Sequence, residues 1–261
     1  MKAVILAGGF GTRLSEESHL RPKPMIEIGG MPILWHIMKY YSYFGINEFI
    51  ICCGYKGYMI KEYFADYYLH RSNITFDFSN GGGMTIHSNV AEPWKVTVVD
   101  TGLDTQTGGR IKRIQNFVEN EQFMLTYGDG VSDIDLTELL ATHNKSKKIV
   151  TLSAIQPGSR FGILDINDRD GTITGFHEKA KESGNWINAG FMVVESSVFD
   201  YIDDVSSTVF ELTPMQKLSE AGKLGVYRHY GFWHCMDSAR DKRTLEDFWQ
   251  NGSAHWKVWK D

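Results

Sequence analysis

The stretch "AVILAGGFGTRL", from Ala3 to Leu14, sets Gly8, Gly9 and Gly11 directly behind a short apolar run and follows them with Thr12 and Arg13. Glycines at the end of a buried strand let backbone amides approach an anion closely, and phosphate is the anion most often held this way. The same spacing also serves a plain tight turn. Further on, "RPKPM" fixes Lys23 between Pro22 and Pro24, which deny it a helix interior and restrict the backbone on both sides. "LTYGDGVSDID" then ends another apolar run with Asp129 between two glycines. Ligands of open α/β sheets bind outside the carboxyl ends of the strands, so Asp129 is placed for a ligand as well as for a turn. A glycine loop at a strand end beside a lysine held between prolines reads as a phosphate-binding arrangement.

Two common phosphate loops are absent. A P-loop needs Lys followed by Ser or Thr after its second glycine, and none stands here. A dinucleotide fingerprint counted from Gly9 needs a small residue where Leu14 stands, and the second strand ends in "ICCGY" without the matching acid. No Ser or Asp lies at useful spacing from His19, His36, His87 or His177, so nucleophilic triad chemistry has no footing.

The elements that must position these residues follow from periodicity. Apolar runs at 2–6, 48–53, 95–100, 122–127 and 148–155 read as strands. Helical spacing covers 31–45, 57–70, 108–118 and 135–145, with Pro32 near one start and Gly45 past its end. This alternation predicts an α/β fold, Rossmann-like, with a mixed, mostly parallel sheet flanked by helices. The second half adds a hairpin over 160–179 turning at Asp170-Gly171, a strand at 186–195, a helix at 212–222, an extended run at 223–237 and a last helix at 238–252. No linker or repeat divides the chain, which predicts a single domain over 1–261.

The pattern "LAGGFGTRL…RPKPM" resembles that of the sugar-1-phosphate nucleotidylyltransferases, which carry a G-G-x-G-T-R-L loop followed by P-K-P-M. The resemblance implies the nucleotidyltransferase fold. It also implies a nucleotide site built on Leu6, Ala7, Gly8, Gly9, Gly11, Thr12 and Gly128, with Arg13 and Lys23 as the catalytic cations on the phosphates. Asp129 matches the family's magnesium-binding Asp, and Asp237 in "GFWHCMDSARD" supplies a second carboxylate, although it is equally placed to cap the last helix. Two carboxylates suffice for Mg²⁺, which keeps waters and phosphate oxygens in its shell. "GFHEKA" is similar to the family's F-x-E-K-P segment, with Ala180 where proline is usual, and "WINAGF" to its N-x-G strand. These imply Glu178, Lys179, Asn188 and Gly190 as the sugar-phosphate site, so that 1–155 mainly binds nucleotide and 156–261 mainly binds sugar phosphate and serves oligomerisation.

Base identity is read in the family near residues 100–113. This chain has Thr107, Gly108, Gly109 and Arg110 there, and "GTRLSEESHLRPKPM" in place of the commoner G-T-R-L-x-P-x-T. Both departures resemble the cytidylyl-transferring branch, which makes CDP-glucose for bacterial O-antigen sugars from CTP and glucose 1-phosphate. The expected site therefore includes Thr107, Gly109 and Arg110, with Arg110 donating to O2 or N3 of cytosine; a surface arginine at a helix start is the competing reading. The same chemistry with UTP, dTTP or GTP, or a non-catalytic regulatory subunit of the same fold, are the alternatives. Survival of Arg13, Lys23, Asp129, Lys179 and Asp237 together argues against the last.

Composition fits these expectations. The 261 residues are 42% hydrophobic and 23% charged with net charge −5, which excludes a broad nucleic-acid surface but not a local cationic pocket. Three cysteines, Cys52, Cys53 and Cys235, without C-x-x-C read as a reduced cytoplasmic chain. "MKAVILAGG" breaks at Gly8 before a secretory signal forms, and no apolar run reaches the ~20 residues of a membrane helix. Seven Trp, twelve Tyr and the closing "HWKVWK" offer aromatic surface for a homo-oligomer, and the family resemblance implies a hexamer.

Overall fold

A computed structural model describes residues 1–12, 19–79, 82–156, 163–167, 169–177, 186–203 and 205–260. Its centre is strand β1 (Lys2–Ala7), buried along its whole length. β1 pairs in parallel with β2 (Glu48–Cys53) on one side and with β6 (Phe123–Tyr127) on the other. β5 (Lys95–Asp100) extends the sheet beyond β2. On the far side β11 (Ile187–Val194) runs antiparallel between β6 and β8 (Val150–Ile155), and β12 (Leu224–Arg228) closes the edge parallel to β8. The order is β12-β8-β11-β6-β1-β2-β5, with β11 alone reversed.

Successive residues of a strand face opposite sides of the sheet, and β1 supplies both cores accordingly. Ala3, Ile5 and Ala7 pack with Ile33, Ile37, Tyr41 and Trp256, whereas Val4 and Leu6 pack with Ile111, Ile114, Phe210 and Leu218. The first face carries α1 (Ile33–Tyr43) and residues of α6 (Ala239–Gln250); the second carries α3 (Thr107–Arg113) and α5 (Thr213–Glu220). Register aligns Leu6 with Tyr127, Ala7 with Cys53, and Cys53 with Asp100, so these strands end at one edge. Because β11 is reversed, its first residues reach that same edge.

The expected strands and helices form within three residues of their expected bounds, with two divisions: the run at 108–118 splits at Ile114 into α3 and a short turn of helix, Gln115–Val118, and the extended run at 223–237 splits into β12 and a separate strand, Trp233–Cys235, outside the central sheet. The Asp170-Gly171 hairpin is present, pairing Ile163–Ile166 with Ile173–His177. The largest element not anticipated is the hairpin of β3 (Ser72–Asp77) and β4 (Gly83–Asn89), which follows α2 (Gly57–His70). Its side chains are mostly exposed on both faces, including Phe76, Phe78 and Met84, so no in-out alternation marked it. Among the described residues no helix is long and apolar enough to cross a membrane.

Candidate active site

The glycine loop leaves β1 at the shared edge. Gly8 carbonyl accepts from the Tyr55 amide at 3.2 Å, which pins the loop to the turn after β2. A side chain added at Gly9 would meet nothing within 4 Å, so this part of the loop faces open space. Leu6 and Ala7 are buried and offer the site backbone alone; the Leu6 carbonyl accepts from the Gly128 amide at 2.9 Å. Gly128 is tight for a second reason: a Cβ there would lie 3.0 Å from Pro24.

Pro24 belongs to a single 3₁₀ turn, Lys23–Met25, closed by Met25 amide to Pro22 carbonyl at 2.8 Å. With Pro24 and Met25 buried, the backbone of Lys23 is held and its side chain is aimed across the end of β6. Its ammonium lies 2.6 Å from Asp129 Oδ2 and 2.5 Å from Asp237 Oδ1. Burial disfavours the ammonium charge, but the two carboxylates outweigh it and hold the pKa of Lys23 above its ordinary value.

Asp129 and Asp237 meet through a small ribbon. β7 (Gly130–Ser132) pairs antiparallel with β13 (Trp233–Cys235), matching Gly130 with Cys235, and Met236 amide donates to Asp129 carbonyl at 2.8 Å. The capping role considered for Asp237 falls instead to Ser238, which forms a capping box with Asp241 at the start of α6. Asp237 is thereby left to face Lys23. The carboxylates present hard oxygens that already share one cation, which is the donor set Mg²⁺ prefers when phosphates complete its shell. Among the described residues no group of three or more His, Cys, Asp or Glu could hold a metal.

Asn188 and Gly190 reach the same edge on β11. Asn188 donates from Nδ2 to the Tyr127 hydroxyl at 3.4 Å and accepts the Gly190 amide on Oδ1 at 2.9 Å. Gly190 has φ +85, and a Cβ there would overlap the Tyr127 ring, so both conformation and space require glycine. Tyr127 donates to Glu211, whose other oxygen accepts from Thr107 Oγ1 at 2.6 Å. Burial, then Glu211, pushes the Tyr127 phenol well above its ordinary pKa, which keeps it a donor. Tyr127 and Glu211 were not singled out from the sequence. Tyr127 stood two residues before Asp129; Glu211 carried no signal.

Residues 107–110 depart from expectation. Thr107 is engaged by Glu211 and by the Phe210 amide at 2.9 Å. Gly109 is buried, with Thr105 Cγ2 2.8 Å and the Val205 carbonyl 2.9 Å from where its Cβ would stand. Arg110, expected against the base or on the surface, is neither: it is 4% exposed and lies beneath the glycine loop, committed to backbone carbonyls. The helix turns these residues into the body because the segment 205–211 packs over them. Thr12 is exposed at the end of the loop. Arg13, Glu178 and Lys179 lie outside the described residues.

The chain matches the nucleotidyl transferase family over residues 2–250. It belongs to that family. Within it, the chain is 53% identical to glucose-1-phosphate cytidylyltransferase of Salmonella typhimurium over 261 residues, the full length of both chains. The corresponding enzyme of Salmonella typhi is 52% identical, again over both full lengths. The crystal structure of HddC from Yersinia pseudotuberculosis superposes with a TM-score of 0.75, covering 95% of this chain and 99% of the other at 24% identity, which speaks to the nucleotidyltransferase fold alone.

Proposed function

We propose that the protein transfers the cytidylyl group of CTP to α-D-glucose 1-phosphate. An anionic phosphate oxygen of the sugar phosphate forms a bond to the α-phosphorus of CTP. The bond from that phosphorus to the bridging α–β oxygen breaks, and pyrophosphate leaves with the electron pair, giving CDP-glucose. The observation that carries the reaction class is Lys23 bridging Asp129 and Asp237 beside the open glycine loop. Full-length identity to cytidylyltransferases supports the choice of CTP and glucose 1-phosphate.

The nucleophile is already ionised at neutral pH, so the site needs no general base, and its task is to position two anions and offset their repulsion. In this reading the loop amides from Gly8 to Thr12 seat the triphosphate. Lys23, and Arg13 beyond the described residues, neutralise charge on it. Asp129 and Asp237 would hold Mg²⁺, which when bound supplies positive charge to the phosphate oxygens. Asn188, held by Tyr127, meets sugar hydroxyls, with Glu178 and Lys179 as the further sugar-phosphate ligands. Residues 1–155 thus mainly serve the nucleotide and 156–261 the sugar phosphate. In this reading the reaction takes place in the cytoplasm on a homo-oligomer, a hexamer, and feeds O-antigen sugar synthesis.

The test is product identification. Purified protein with CTP, glucose 1-phosphate and Mg²⁺ should yield CDP-glucose and pyrophosphate in equal amounts by mass spectrometry. Formation of neither by folded protein would overturn the assignment.

A further inference from the structure

Arg110 spends its guanidinium on the ends of three neighbouring strands. Nη2 donates to the carbonyls of Gly8, after β1, at 2.9 Å and Leu103, beyond β5, at 3.2 Å. Nη1 donates to the carbonyls of Cys53, ending β2, at 2.9 Å and Gly102 at 2.8 Å, and to Thr101 Oγ1 at 2.8 Å. Two of these carbonyls also accept from a neighbouring strand end, Gly8 from the Tyr55 amide at 3.2 Å and Cys53 from the Thr101 amide at 2.9 Å, and Arg110 adds a charged donor to each. A planar fork of donors serves several such carbonyls at once, which an ammonium does poorly. The backbone is shaped to the fork. A Cβ at Gly8 would overlap the guanidinium, and one at Gly54 would lie 2.5 Å from Nη1 and 2.7 Å from the Gly8 carbonyl.

This arrangement has a consequence for the adjoining amide. In a trans peptide the carbonyl of one residue and the N–H of the next point in opposite directions. There is no cis peptide in the described chain. Arg110 and the Tyr55 amide hold the Gly8 carbonyl between them, so the Gly9 N–H is turned away from both, in a part of the loop where a side chain at Gly9 would meet nothing within 4 Å. We propose that Arg110 is the positioning residue of the nucleotide site: by anchoring the Gly8 carbonyl it fixes the Gly8–Gly9 peptide plane with its N–H presented to the phosphates of the incoming nucleotide. The inference rests on the CTP reading above and goes beyond it by assigning Arg110 to the loop rather than to the base.

Full-length protein tests it through two independent disturbances. Arg110→Ala removes the anchor, and Gly54→Ala crowds the guanidinium and the Gly8 carbonyl while leaving the arginine in place. Each should raise the KM for CTP, and the Kd for CTP measured calorimetrically, by roughly tenfold to a hundredfold, the scale of a misplaced binding group. The KM for glucose 1-phosphate should stay within about twofold on the same scale. Added methylguanidinium should recover much of the CTP affinity of Arg110→Ala and none of that of Gly54→Ala. A general structural defect would lower the melting temperature and weaken both substrates alike, without rescue. Folded variants with ordinary CTP affinity, or with equal losses for both substrates, would overturn the proposal. Wild-type protein that binds no CTP would overturn the CTP reading itself and this inference with it.

Discussion

The Lys23 ammonium sits 2.5 Å from Asp237 Oδ1, a contact made across 214 residues of sequence, and reaches Asp129 from the same atom. One cation therefore holds together the turn after β1's loop, the end of β6 and the start of α6. Removal of Lys23 leaves two facing carboxylates without their shared counter-ion and the triphosphate without a cation. Lys23→Ala should lower kcat by roughly a hundredfold to a thousandfold, as loss of one fixed charge-stabilising donor does. Steady-state kinetics with both substrates saturating measures this; turnover near wild type would remove Lys23 from the machinery.

The same contact bears on the metal. In the proposed reading a divalent ion on Asp129 and Asp237 would compete with the Lys23 ammonium for their oxygens. Lys23→Met should therefore bind Mn²⁺ more tightly than wild type in the absence of nucleotide, by roughly tenfold on the scale of one charge-assisted contact. Electron paramagnetic resonance of bound Mn²⁺ reads this without turnover. Asp237→Asn should weaken Mn²⁺ binding in the same assay.

Glycine at 190 is required by its φ of +85 and by the Tyr127 ring. Gly190→Ala should destabilise the fold by roughly 1–3 kcal/mol, the range for a strained backbone position. It should also raise the KM for glucose 1-phosphate, since Asn188 is tied to the Gly190 amide and to Tyr127. Urea unfolding and substrate kinetics check the two parts separately.

His36 gives a prediction about pH. It is buried, its Nε2–H donates to the Ile28 carbonyl at 2.8 Å, and its Nδ1 accepts from Trp256 at 3.3 Å, a pattern that requires the neutral ring. Burial lowers its pKa from the ordinary 6.5 to about 4. The unfolded chain takes up this proton first, so the contribution is present above pH 6.5 and declines as pH falls from 6.5 to about 4. The full loss is about 3 kcal/mol. His36→Asn, which does not titrate, should show a shallower fall in melting temperature across that range than wild type.

How much of this was legible depended on where the signal lay. The run Lys2–Ala7 is buried on both faces and announced itself as a central strand. Lys23 was legible because two prolines fix its backbone locally, and Asp129 because glycines bracket it at a strand end. Arg110 was misplaced because its partners are carbonyls of Gly8, Cys53, Gly102 and Leu103, which carry no side-chain signature and meet only in the folded sheet. Asp237 was ambiguous with a helix cap until Ser238 was seen to fill that role. The hairpin Ser72–Asp77 with Gly83–Asn89 escaped because it buries neither face.

The most direct test of the central claim is the initial rate of pyrophosphate release with glucose 1-phosphate and Mg²⁺, measured separately with CTP, UTP, dTTP, GTP and ATP. The account predicts rapid release with CTP and far slower release with the other four. Equal or faster release with another nucleotide would contradict it.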